Sequence, residues 1–303
     1  MNDSATNSGA EFSDPNCSWQ LLLSRRSEDE RDSMRSLPYR LGITWRPDGG
    51  WRDYVAMPPM YDLPSYIAES AARSVSTDAL DRFRLAHHCS GFYGLLIDRV
   101  ADGQIVDDAL LRRDRRWLRR AWLDSLAAAC GDHAAAERGI RWALGRWRRG
   151  VALARARTRD ATFDAATYAR STAAKVAFLW IASELLLRSC GNSPRETGQL
   201  RRIFERVMFA LQCCDDAADD SEDRELHGAS VSQLLRVTPA VLRATACRVF
   251  DDLVSTKIVP ERLRGWCLET RARARALIPT QQAAVAALGA SYVTLSITAG
   301  GAS

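Results

Sequence analysis

The sequence predicts an all-α fold, a bundle of about nine helices, and three observations carry that prediction. No proline occurs between Ser65 and Ser193, and this stretch is filled with Ala, Leu, Arg, Asp and Glu, which helices favour or tolerate. The later prolines stand where helices begin. Ser193-Pro194-Arg195-Glu196 joins an N-cap serine, a proline at the first helical position and a glutamate at N3, and Thr238-Pro239 repeats the cap and proline. Few stretches alternate apolar and polar residues as strands do, and 18 glycines are too few for a hairpin-rich fold.

Taken in chain order, residues 1–35 are rich in Ser, Asn, Asp and Glu, with one apolar island at Trp19–Leu23, and read as a polar tail. Residues 36–303 read as one domain. Six of the ten prolines fall between Pro15 and Pro64, so that section is expected to be extended or turning. Helices are expected near 62–73, 78–104, 106–130, 133–157, 160–190, 194–226, 239–257, 260–277 and 280–298. Cys190-Gly191-Asn192 supplies a stop before Ser193, and Pro260 and Pro279 mark two further starts.

Composition excludes several classes. With 303 residues, 47% hydrophobic and 26% charged, the chain is neither disordered, collagen-like nor a disulfide scaffold. The eight cysteines contain no C-x-x-C pair, which argues against structural zinc and for small buried side chains in a reducing, cytoplasmic setting. Residues 1–14 lack the basic and apolar regions of a signal peptide. The longest apolar run, Val176–Leu187, contains Glu184 and is shorter than the roughly 20 residues of a membrane span. The basic helix Leu111–Arg120 reads as a solvated amphipathic face rather than a nucleic-acid surface. Among 42 basic residues only Lys175 and Lys257 are lysines, the other 40 being arginines, and Lys257 reads as an exposed helix end.

The densest chemistry follows Val207-Met208-Phe209-Ala210-Leu211 as Gln212-Cys213-Cys214-Asp215-Asp216-Ala217-Ala218-Asp219-Asp220-Ser221-Glu222-Asp223. Asp215, Asp219 and Asp223 are spaced i, i+4, i+8 and share a helical face, with Asp216 and Asp220 beside them. Like charges at that spacing repel, and a divalent cation is the natural counter-charge; Mg²⁺ uses one or two carboxylates together with phosphate oxygens. A solvated acidic face would be flanked by polar residues, whereas this one ends an apolar run.

A second apolar, aromatic helix, Gly91–Ile97, ends in Asp98 and Asp102 at i, i+4. Two such helices can face each other across a cavity with metal ions between them. Lys175 stands at the start of the most apolar helix in the chain. A snorkelling surface lysine is one reading, and a compact ammonium contacting phosphate is the other.

These three elements resemble the class I isoprenoid synthase superfamily, especially the trans-polyprenyl diphosphate synthases and the terpene cyclases similar to them. Gln212–Asp219 matches the second aspartate-rich motif, Q-x-x-D-D-x-x-D, in full. Lys175-Val176-Ala177-Phe178-Leu179 is similar to the K-T-A-x-L segment whose lysine binds diphosphate. His87–Asp102 resembles the helix of the first aspartate-rich motif, with Arg99 in place of its second aspartate. The resemblance covers residues 80–235 and implies a helical bundle with a central apolar cavity. It also implies Mg²⁺, typically three ions, held by Asp98, Asp102, Asp215, Asp216 and Asp219.

The implied substrate is a linear prenyl diphosphate whose leaving group meets Lys175, Arg99, Arg170 and Gln212. The pocket for the allylic cation would use Phe92, Tyr93, Phe178, Trp180 and Phe209, each of which also serves ordinary core packing. Chain-elongating members carry a Gly-Gly-Lys-Arg-type segment and an Arg-Arg pair soon after the first motif. Here residues 1–174 contain no lysine, and Arg112-Arg113 lies ten residues beyond Asp102. The expectation is therefore a cyclase acting on one allylic diphosphate, with a prenyltransferase that adds a second substrate as the alternative. Neither nucleic acid nor a membrane is an expected partner, and a homodimer is compatible with the sequence.

Overall fold

The computed structural model describes residues 14–53, 58–156 and 163–276, and the helix expected at 280–298 lies outside them. Among the described residues every regular element is helical, and no helix is long and apolar enough to cross a membrane. The chain divides into two compact units, Met1–Leu144 with Phe178–Thr197, and Gly145–Ala177 with Gly198–Ser303.

The helices in chain order are α1 (Pro15–Ser24), α2 (Glu28–Arg35), α3 (Leu37–Arg40), α4 (Pro58–Tyr61), α5 (Leu63–Ala68), α6 (Thr77–Ala101), α7 (Ala109–Cys130) and α8 (His133–Ala156). They continue with α9 (Ala165–Lys175), α10 (Ala177–Ser189), α11 (Pro194–Ala218), α12 (Asp220–His227), α13 (Val231–Leu234), α14 (Pro239–Ser255) and α15 (Glu261–Ala276). A single 3₁₀ turn covers Trp51–Asp53.

In the first unit α6 and α7 pack side by side, and α1, α4 and α5 lie against α6. Trp19, Trp51 and Phe92 form an aromatic cluster, with centroids 4.3 Å apart for Trp51–Phe92 and 5.2 Å for Trp19–Phe92. Residues 14–35 of the expected tail fold back on the first unit, and residues 1–13 lie outside the described residues. Asp14 accepts from Asn16 N and starts α1, and Trp19, Leu22, Leu23 and Met34 are buried, so the apolar island is core rather than tail. Asp114 on α7 is buried and ion-paired with Arg40, which makes one acidic residue of the arginine-rich helix a core contact.

In the second unit α14 packs on α15. Leu242, Phe250, Leu253, Leu263 and Trp266 are buried there. The helix starts read from sequence are present. Ser193 and Glu196 form reciprocal capping bonds, Glu196 N to Ser193 Oγ at 3.3 Å and Ser193 N to Glu196 Oε2 at 2.8 Å, and Thr238 Oγ1 accepts from Val241 N. Gly191 turns the chain at φ +90° with Asn192 N bonded back to Leu187 O. Two expected helices are each divided: 160–190 breaks at Val176, and 194–226 breaks at Asp219.

Candidate active site

The acidic motif closes α11. Leu200, Ile203, Phe204, Val207, Met208 and Leu211 are buried at helical spacing and anchor one face of that helix. Past Leu211 the side chains become polar, and the last turn carries Asp215 and Asp216 at the negative end of the helix dipole. Arg243 donates to the Ala217 carbonyl at 3.1 Å and satisfies one of the terminal acceptors. Asp219 follows at the break, exposed, and Asp220 is buried by bonds from Ser232 Oγ and Arg224 that tie down α12.

The adjacent aspartates of this turn differ in environment. Asp216 is buried, with Oδ2 accepting from the Tyr168 hydroxyl and Oδ1 from Gln212 Nε2 at 2.9 Å. Asp215 opens to solvent. Its carboxyl is pushed up to about 6, first by loss of hydration and then by the negative charges of Asp219, Asp216 and Asp223. Gln212, expected to meet diphosphate, donates Nε2–H to Asp216. Asp223 belongs to the same electrostatic cluster, as its i, i+8 spacing from Asp215 signalled.

Helix α9 carries Lys175 at its last position. Asp164 caps its start by accepting from Thr167 N at 2.7 Å. Tyr168 lies seven residues before Lys175, two turns away on the same face. Ser171 Oγ donates to Gly150 O at 2.9 Å, and a Cβ on Gly150 would meet Lys175 N at 2.8 Å, so α8 and α9 touch backbone to backbone beside the lysine. Arg170 is exposed and donates to Thr167 Oγ1 at 3.0 Å, off the face that Tyr168 and Lys175 share.

In the first unit, Asp98 lies in the last turn of α6 and Asp102 is its C-cap, with Asp102 N bonded to Asp98 O at 2.8 Å. Arg99, in the same turn, extends toward Gly42, whose Cβ would stand 3.6 Å from Nη1. The aromatic residues proposed from sequence are largely core. Phe92 joins Trp19 and Trp51, Tyr93 packs on Trp122 at 5.7 Å, Phe178 fills the space left by Gly94, and Trp180 is 1% exposed and donates Nε1–H to Glu184 at 3.0 Å. Phe209, in the second unit, stands edge-on to Tyr168 at 5.4 Å. A cavity of about 280 Å³ beside α7 and α8 is lined by Arg116, Arg119, Arg120, Leu123, Glu137 and Ile140, and by none of the predicted site residues.

No family model matches the sequence, and no curated protein matches it. Solved structures do match. A polyprenyl synthetase from Streptomyces coelicolor A3(2) superposes with a TM-score of 0.53 at 15% identity, covering 95% of this chain and 89% of that one. The chain has the isoprenoid synthase fold. A geranylgeranyl pyrophosphate synthase agrees, with a TM-score of 0.52, 12% identity, and 97% and 91% of the two chains covered. At such identity the likeness shows the fold.

Within the isoprenoid synthase fold of this chain, the acidic turn suits a hard cation. Its donors are carboxylate oxygens, with Asp215 raised first by loss of hydration and then by the neighbouring Asp219, Asp216 and Asp223. Among the described residues no three His, Cys, Asp or Glu side chains converge as a ready-made metal cage.

Proposed function

We propose that the chain is a class I isoprenoid synthase of the cyclase type, which ionises one linear allylic prenyl diphosphate and closes the resulting cation into a ring. The observation that carries this reading is the acidic turn of α11, where Asp215 and Asp219 are exposed beside an apolar helix and Asp216 is bonded to the helix that carries Lys175.

In this reading Asp215 and Asp219 hold Mg²⁺ for the diphosphate, and Asp98 and Asp102 are assigned the same chemistry. Bound Mg²⁺ supplies Lewis-acid stabilisation of the charge that builds on the leaving group. Lys175 is assigned to the diphosphate as a point charge, and Arg99, in the turn of Asp98, is assigned the same chemistry. Phe209, edge-on to Tyr168, is assigned to the apolar surface that keeps water from the allylic cation. The carbon–oxygen bond breaks with its electron pair going to diphosphate, an internal double bond attacks the allylic cation to close the ring, and the new cation this leaves either loses a proton or takes up water and then loses a proton.

The choice of cyclase rests on the sequence before residue 175, which holds no lysine for a second diphosphate. The second reading, a prenyltransferase, is favoured by the names of the two matching structures, a polyprenyl synthetase and a geranylgeranyl pyrophosphate synthase. Incubation with Mg²⁺ and allylic diphosphates of several chain lengths, with and without isopentenyl diphosphate, separates the two. Cyclic hydrocarbon or alcohol from a single substrate is the expected product. Longer linear diphosphates that need isopentenyl diphosphate would establish the prenyltransferase, and no diphosphate release under any condition would end both readings.

A further inference from the structure

Tyr168 is absent from the groups that the aspartate and lysine motifs single out, yet it makes the contact that joins them. It is 4% exposed and Asp216 is 8% exposed, and the phenol hydroxyl donates to Asp216 Oδ2. A carboxylate taken from water needs donors in its place, and Tyr168 and Gln212 supply one to each oxygen. Burial, followed by the nearby Cys213 and Asp216, pushes the Tyr168 phenol well above its ordinary value, so the proton stays on the tyrosine and the bond runs in this direction. Phe209, edge-on at 5.4 Å, fixes the plane of the ring.

The position of this bond matters as much as its chemistry. Asp216 lies in the last turn of α11, two residues before the helix ends at Ala218, where an unanchored turn frays. Successive helical residues point about 100° apart, so a fixed Asp216 also fixes the direction of Asp215. Tyr168 itself stands on α9, about 10 Å along the axis from Lys175.

We propose that Tyr168 is a positioning residue: by holding Asp216 it locks the last turn of α11, turns Asp215 outward as the cation-facing carboxylate, and sets that carboxylate against the helix of Lys175. This inference rests on the reading of the acidic turn as a cation site.

The test compares the wild type with Tyr168→Phe, Asp216→Asn, the double variant and Asp215→Asn. Mn²⁺ binding is followed by the electron paramagnetic resonance of free Mn²⁺ in the presence of inorganic diphosphate, alongside thermal midpoints. Loss of an outer-shell hydrogen bond is expected to weaken Mn²⁺ binding about tenfold in Tyr168→Phe. In the Asp216→Asn background the same change should add less than about twofold, because both act through one carboxylate. In turnover the Mg²⁺ requirement should rise more than the KM for the allylic substrate.

Wild-type Mn²⁺ affinity in a folded Tyr168→Phe, or additive effects in the double variant, would overturn the proposal. Should Tyr168→Phe fail to fold, Gln212→Leu removes another donor to Asp216 and must weaken Mn²⁺ binding in the same way; unchanged binding there also overturns it. Loss of binding in Asp215→Asn with none in Tyr168→Phe removes the role of Tyr168 and leaves the cation site standing. A wild type that binds no Mn²⁺ removes both.

Discussion

His88 on α6 donates Nε2–H to the carbonyl of Tyr61 at 2.7 Å, holding the end of α4 against the long helix. Its Nδ1 lies 2.7 Å from the Ser18 hydroxyl, which donates to it, so the neutral ring is fully satisfied while buried. Next to it, His87 meets the carbonyls of Met60 and Leu179 at 2.6 and 3.1 Å.

Acid should therefore loosen the first unit. Burial, then the neighbouring His87, lowers His88 to about 3, and burial also lowers His87. In the unfolded chain both titrate near 6.5, so between about pH 6.5 and 3 the unfolded state binds more protons and stability falls as pH falls. The slope from His88 is about 1.4 kcal/mol per pH unit. Denaturant midpoints should be level above pH 6.5 and decline below it, and His88→Gln should reduce the decline. A slope unchanged in that variant would contradict the assignment.

Asp215 has the opposite sign. Its folded value of about 6 lies above the ordinary 3.8, so protonation between those values relieves repulsion in the acidic turn and adds stability as pH falls. The same proton competes with a cation. Mn²⁺ affinity is expected to be level above pH 7 and to drop about fivefold between pH 6 and 5. Asp215→Asn should abolish this dependence together with most of the binding, and titrations at pH 5, 6 and 7.5 decide the point.

Gly150→Ala should disturb Lys175 from a neighbouring helix. The new Cβ would stand 2.8 Å from Lys175 N and 2.9 Å from Ser171 O, backbone atoms that yield only if α9 shifts. The expected cost is about 1–3 kcal/mol, with weaker binding of inorganic diphosphate. Gly145→Ala, on the same helix with nothing within 4 Å of its Cβ, is the control and should stabilise by about 0.5–1 kcal/mol. Equal behaviour of the two variants would refute the close approach.

Gly94→Ala places a methyl group in the Phe178 ring. A loss of about 1–3 kcal/mol is expected from chemical denaturation, and Phe178→Leu should recover part of it when the two are combined. Additive losses would show that the ring is not what the methyl meets.

Helix starts were legible because their chemistry is local. Ser193, Pro194 and Glu196 lie within one turn, and the same holds for Thr238 and Pro239, so spacing alone reveals the cap. Breaks inside helices were not legible: Val176 divides α9 from α10 without glycine or proline. Trp19 reads as part of an island in a polar tail, because the rings it packs against are Trp51, Phe92 and Trp117, far along the chain.

The acidic turn shows the same division. Its carboxylates, their common face and their place at the end of an apolar run follow from helical spacing, and so do the lone lysine of the amino-terminal 256 residues and the all-α class. Which aspartate is buried and which faces water was decided only in the tertiary structure, by a hydroxyl 48 residues away on another helix. Contacts within a turn are set by the geometry of one helix. A bond between two helices depends on how both are packed, and no spacing along the chain encodes it.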